Sequence, residues 1–259
     1  MGVTQREDLR RREVLRALLG AVTTSSLVGC VGKDGPSVSV CKYGEAEIRE
    51  SWILSGGDKD KPEPISLLFH LIEVPGRRIL ADVGCNRFRI FNKDATHFIR
   101  PRELLRENGI VPESITDILI SHHHVDHAGA IPDFSNARIV VHEWEAARLD
   151  PQLKGRHVVT FDKTITLFDG RISMVRVGGH TPGSSLVVIP RAARTIVIGG
   201  DACYVNACLE RKVPTGVTGN LEESRAFVET YSDPRFDVRL CHDPGVMPGR
   251  NGIEYAITH

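Results

Sequence analysis

A chain of 259 residues with 41% hydrophobic positions has enough material for one large core or two small ones. Its 33 basic and 33 acidic side chains cancel and no long run carries one sign, which disfavours a nucleic-acid partner. No apolar stretch approaches the about twenty residues that cross a bilayer.

The first thirty residues read as a targeting segment rather than as part of the fold. Arg10-Arg11-Arg12-Glu13-Val14-Leu15-Arg16 sets an arginine pair ahead of an apolar pair. Ala17 to Gly29 is weakly apolar and too short to span, and Leu27-Val28-Gly29-Cys30 closes it. The segment resembles a twin-arginine export signal joined to a bacterial lipobox, which implies a lipid on Cys30 as the first mature residue. The expected divisions are an export signal over 1–29, a lipidated tether and first strand over 30–45, and a catalytic domain over 46–259. Export would place the protein in the periplasm or on a membrane, held there only through the lipid. Loss of 1–29 removes five arginines and three acids, leaving a charge of about −2. Cys41, Cys85, Cys203, Cys208 and Cys241 then remain. An odd count leaves at least one thiol free in an oxidising compartment.

Along the mature chain, Val38 to Cys41 and Ile48 to Leu54 read as early strands. Ser55 to Pro64 is rich in Gly, Asp, Lys and Pro and reads as a loop. Ile65 to Val74 and Arg78 to Asp82 are strongly β-like, with Pro75-Gly76 turning between them. Pro101 to Asn108 is a short helix with Gly109 as its stop. Ile115 to Ile120 and Asn136 to Val141 are strands, and His142 to Leu149 is a helix. Short strands follow in Val158 to Phe168, Arg171 to Val177, Leu186 to Ile189 and Thr195 to Ile198. Glu222 to Tyr231 is a helix, and Phe236 to Leu240 is the last clear strand. Strands and helices mix without a long linker, which predicts a single α/β domain.

Chemistry concentrates at the ends of those strands. Ser121-His122-His123-His124-Val125-Asp126-His127 packs imidazoles and carboxylate into the pattern His-x-His-x-Asp-His. That donor set suits a borderline metal such as zinc. His122, His124 and His127 can face one pocket while His123 points away. His180, Asp201 and His242 each follow a β-branched run, in Gly-rich or polar turns. Ligands on one rim of a sheet can converge. His70 reads as a core or edge residue, and His97, His142 and His157 as surface or packing residues.

With these motifs in this order, together with Asp82-x-Gly84, the chain resembles the metallo-β-lactamase superfamily from about Ile65 onward. The resemblance implies an αββα sandwich and two divalent metal ions, zinc by preference. By the same resemblance His122, His124 and His180 would hold the first ion. Asp126, His127 and His242 would hold the second, with Asp201 bridging and Asp82 orienting a ligand. A hydroxide bridging the ions would attack a small-molecule substrate.

Asp201-Ala202-Cys203-Tyr204 resembles the Asp-Ala-x-Tyr of the acyl-homoserine lactonase branch. It implies opening of a cyclic ester, with Asp126 and Tyr204 as catalytic residues. Ser184 stands after His180-Thr181-Pro182-Gly183 where lactonases usually carry a further histidine. An exported β-lactamase, an organophosphate or thioester hydrolase, and a metal-binding lipoprotein without turnover are the alternatives.

Overall fold

The computed structural model describes residues 35–255. The export signal, Cys30 and His259 lie outside the described residues. In chain order the elements are β1 (Ser37–Arg49), α1 (Glu50–Ile53), β2 (Pro62–Val74), β3 (Arg77–Ala81), β4 (Arg89–Ile90), β5 (Lys93–Asp94) and α2 (Pro101–Glu107). Next come β6 (Asp117–Ile120), α3 (Val125–Ala128), β7 (Arg138–His142), α4 (Glu143–Leu153), β8 (Val158–Phe161), β9 (Thr164–Leu167) and β10 (Ile172–Arg176). The last are β11 (Ser185–Ile189), β12 (Thr195–Ile198), α5 (Asn206–Arg211), α6 (Leu221–Tyr231), β13 (Phe236–Arg239) and β14 (Gly252–Glu254).

The strands form a seven-stranded sheet in the order β14-β1-β2-β3-β6-β7-β8 and a five-stranded sheet in the order β13-β12-β11-β10-β9. A strand sends alternate side chains to opposite faces, so a strand buried on both faces feeds two cores. In β2, Leu67, Phe69 and Leu71 join the core under α2 and α4, with Leu104, Leu105 and Leu149. Ile72 and Val74 of the same strand join a second core, with Met174, Val187 and Ile198 of the other sheet. The split recurs in β6, where Ile118 and Ile120 face the helices and Leu119 faces the sheet. In β11, Val187 and Ile189 point inward, while Leu186 and Val188 pack on Phe227, Val228 and Tyr231 of α6. Three apolar layers between four structural layers make an αββα sandwich. Each wholly buried aliphatic side chain contributes about 1.5–3 kcal/mol of transfer free energy, so the alternation itself fixes the layer order.

The expected strand Ile48 to Leu54 is corrected. β1 stops at Arg49, and α1 replaces the remainder. Glu50 explains the change. Its carbonyl accepts the Leu54 N–H, and its carboxylate accepts from the Asp58 N–H and Lys61 Nζ, each at 2.9 Å. The following loop therefore closes a helical turn that apolar residues alone read as β. The division expected between residues 45 and 46 falls inside β1, which pairs with β2 along its whole length. The helix expected to end at Leu149 runs on through Pro151 to Leu153, and His142 caps its start by accepting the Trp144 N–H. Phe236 to Leu240 is not the last strand, because β14 pairs with β1 beyond it.

Parallel pairing of β3 with β6 and of β12 with β13 sets several strand C-termini at one edge. Asp82 follows β3, His122 to His127 follow β6, Asp201 follows β12 and His242 follows β13. His180 lies in the connection from β10 to β11. Backbone bonds stitch the sheets together at this edge: Ser185 donates to the Ser121 carbonyl at 3.0 Å, and Ser66 to the His242 carbonyl at 3.1 Å.

Candidate metal centre

The turn after β12 brings the central carboxylate into place. Gly200 has φ +50°, and a Cβ there would meet Ser121 Oγ at 2.8 Å. Only glycine lets this turn approach the β6 loop so closely. Asp201, buried in that turn, divides its two oxygens. Oδ2 lies 3.6 Å from His122 Nε2 and 3.3 Å from His180 Nε2. Oδ1 lies 2.9 Å from His127 Nε2 and 3.1 Å from His242 Nε2.

Two groups of donors follow from that division. In the first, His124 Nδ1 sits 3.1 Å from His122 Nε2 and 2.9 Å from His180 Nε2. In the second, His127 Nε2 and His242 Nε2 are 3.3 Å apart, and Asp126 Oδ2 lies 3.5 Å from His242 Nε2. The seven predicted ligands thus converge on one site. His123 turns away to Glu145. His70 is buried in β2, and His142 caps α4. Neither joins the site, and His97 and His157 are exposed.

The hydrogen bonds on the far side of each ring test whether a cation fits. His180 Nδ1 donates to the Val217 carbonyl at 2.7 Å, and His242 Nδ1 to the Ser66 carbonyl at 2.9 Å. His127 Nδ1 donates to Asp82 Oδ2 at 2.8 Å. Ser121 Oγ gives its proton to Asp82, so it accepts from His122 Nδ1 at 3.0 Å. When such a ring is neutral, an N–H spent outward leaves its lone pair on Nε2, turned toward the others. The lone pairs then face one another and a carboxylate, and Asp201 Oδ1 finds no hydrogen bond of acceptable geometry. Nitrogen and carboxylate donors that converge in this way are what a bound cation satisfies in place of protons.

The electrostatics agree. Burial and the neighbouring His127 hold His122 well below the usual imidazole range. Burial opposes a charge on His127 too, but Asp201, Asp82 and Asp126 outweigh it and hold that ring well above the usual range. Burial would raise Asp201, yet His127, His242 and His180 keep it well below the carboxylate range. The site is short of positive charge, as a centre built for divalent ions should be.

Asp82 sits in the left-handed region at φ 58°, which aspartate tolerates better than most residues. Three bonds hold it there: two from Ser121, one from His127. Cys241 lies against Asp82 and His127, and burial pushes its thiol far up. All five cysteines among the described residues are buried and free. Tyr204 is 6% exposed, with its ring centroid 5.1 Å from that of His242 and 6.1 Å from that of His180. Burial, then Asp201 and Asp126, push its hydroxyl well above the ordinary range, so it remains a hydrogen-bond donor at neutral pH.

Some site residues carry no type-specific signal in the sequence. The orienting acceptors Ser66 and Val217 act through backbone carbonyls. Tyr43 reaches from β1 to donate to the Asp126 carbonyl at 3.0 Å. Ser121 was visible only as the first residue of the histidine run.

A sequence model of the family described as the metallo-β-lactamase superfamily matches residues 68–241, well over half of the chain. The chain belongs to the metallo-β-lactamase superfamily. It is 26% identical over 135 residues to the N-acyl homoserine lactonase AiiB of Agrobacterium fabrum, covering 44% of this chain and 49% of that one. It is 28% identical over 167 residues to an N-acyl homoserine lactonase of Bacillus cereus, covering 56% of this chain and 67% of that one. The match to the first of these relatives thus spans about half of its length. A solved structure of a quorum-quenching N-acyl homoserine lactone lactonase superposes with a TM-score of 0.71 at 20% identity, covering 83% of this chain and 95% of that one. That likeness speaks for the fold. The His/Asp cluster has the donor atoms and spacing to hold metal.

Proposed function

We propose that this chain is a dinuclear metal-dependent hydrolase that opens cyclic esters, with N-acyl-homoserine lactones as the substrate class. The observation that carries the reading is the division of Asp201, one oxygen facing each of two ligand groups. His122, His124 and His180 would hold one ion; Asp126, His127 and His242 would hold the other. Their nitrogen and oxygen donors favour zinc. Such an ion pair supplies a water ionised near neutral pH and positive charge facing a carbonyl oxygen.

The chain's own residues do the rest. Tyr204, protonated and beside both ligand groups, donates to the carbonyl oxygen as negative charge grows there. Asp126 is the more exposed carboxylate of the set, at 14% against 3% for Asp201. It is placed to hold the proton that the attacking water loses and return it to the ring oxygen as the carbon–oxygen bond breaks. The product is a hydroxy acid. Relatives named as lactonases and the Asp-Ala-x-Tyr segment at Asp201 to Tyr204 support this choice of substrate.

Assay of the metal-loaded protein on acyl-homoserine lactones, esters, β-lactams and phosphotriesters tests the reading. Lactones should be the fastest class. A β-lactam or phosphotriester turned over faster, with lactones untouched, would refute it.

The proposal includes export. The arginine pair at Arg11-Arg12 and the Leu27-Val28-Gly29-Cys30 segment support a lipoprotein carried folded across the membrane. Replacing both arginines by lysine should trap it in the cytoplasm, and Cys30→Ser should release it from membranes. A parent protein found soluble in the cytoplasm with residues 1–29 intact would count against both steps.

A further inference from the structure

Glu145 touches both loops that carry the histidine-rich ligand group. It stands in the first turn of α4 and is 1% exposed. Its Oε2 accepts from the His123 backbone N–H at 3.0 Å and from His123 Nδ1 at 2.5 Å. Its Oε1 accepts from Thr181 Oγ1 at 2.7 Å and from the Gly183 N–H at 2.8 Å. His123 lies between the ligands His122 and His124, and Thr181 directly follows the ligand His180. One carboxylate thus gives one oxygen to each loop.

The loops belong to different sheets. The His122 to His127 loop leaves β6 of the seven-stranded sheet, and the His180 loop joins β10 to β11 of the five-stranded sheet. Their ligand atoms must nevertheless meet, with His124 Nδ1 and His180 Nε2 2.9 Å apart. A negative side chain near a helix N-terminus is ordinarily explained by the helix dipole. All four donors to Glu145 come instead from outside its own helix, and the group is fully saturated by them. Gly183 is fitted to it as well: a Cβ there would meet Glu145 Oε1 at 2.6 Å. Burial alone would raise this carboxyl, but the bonds from His123 and Thr181 hold it below the ordinary range.

We propose that Glu145 is a positioning residue that sets the spacing of His124 and His180 for one metal ion, acting through His123 and Thr181. The inference rests on the metal-dependent reading above and adds a clamp between the sheets that does not itself touch the ion.

Glu145→Gln separates the two arms. Its amide oxygen can still accept from Thr181 and Gly183, while its NH2 group opposes the two His123 donors. Glu145→Ala loses both arms. His123→Ala loses the ring contact and keeps the backbone one. The test is titration of the metal-free full chain with Co2+ in an Asp126→Ala background, which leaves the histidine-rich group to be read by its visible absorption. Amide hydrogen exchange at His123 and Gly183 is followed in the metal-free protein.

Glu145→Gln should weaken Co2+ binding by about ten- to a hundredfold, alter the absorption bands and speed exchange at His123 while Gly183 stays protected. His123→Ala should cost less than about tenfold. Should Glu145→Ala unfold, Glu145→Gln and His123→Ala still decide the matter. Parent-like Co2+ affinity and bands in Glu145→Gln would overturn the clamp and leave the metal reading intact. Absence of Co2+ binding in the Asp126→Ala parent and in the wild-type chain alike would overturn the metal reading and the clamp with it.

Discussion

The two ligand groups sit side by side but are built on different principles. The first is three imidazoles whose buried ring His122 and half-buried ring His124 are pushed toward neutrality by burial. Its negative charge comes chiefly from Asp201, whose Oδ2 lies 3.6 Å from His122 Nε2 and 3.3 Å from His180 Nε2. The second mixes two imidazoles with Asp126, and Asp82 stands directly behind His127. There the carboxylates hold His127 and His242 above the usual imidazole range, against the pull of burial. The first group is marked by its arrangement of rings and the second by its charge. Asp201 is where the two meet.

Removing that meeting point should have the largest effect. Asp201→Ala should strip both ions and lower turnover by more than about a thousandfold. Retention of two ions in elemental analysis would show that the groups are independent. Breaking one side comes next. Asp126→Ala should leave one ion per chain and lower kcat by on the order of a hundredfold. Equal loss of both ions would mean that the charge-rich group organises its neighbour.

Tyr204→Phe tests chemistry without touching either group. It should lower kcat on lactones by about ten- to a hundredfold, with KM and metal content unchanged. Parent-like turnover would reduce the tyrosine to a packing residue. The smallest effect should come from Tyr43→Phe, which leaves the Asp126 carbonyl without its donor. Denaturant unfolding should register about 1 kcal/mol, with metal content unchanged. A lost ion would instead reveal that the second group depends on a bond from β1.

Those effects track what the sequence made legible. Residues whose type suggests their chemistry were the easiest to pick out: His122, His124, Asp126, His127, His180, Asp201 and His242 all lie in segments that follow strands, and the structure brings them together. The layered fold was implied by the resemblance that the motif order carries, since β2, β6 and β11 are apolar runs buried on both faces and show no alternation in sequence. Elements too short for periodicity were not readable. β14 has three residues, the hairpin strands β4 and β5 two each, and α5 six. α1 was misread because its helical turn is closed by a polar loop rather than by its own residues. The groups that aim the ligands were hidden for another reason. Carbonyls at Ser66 and Val217 exist in every residue type, and Glu145 looks like any acid near a helix start.

The central claim is that activity needs two ions joined through Asp201. Stepwise reconstitution of the metal-free chain with Zn2+, reading lactone turnover against bound metal by elemental analysis, tests it most directly. Turnover should rise mainly with the second equivalent and reach its plateau at two ions per chain. Full turnover at one bound ion, or with none, would contradict it.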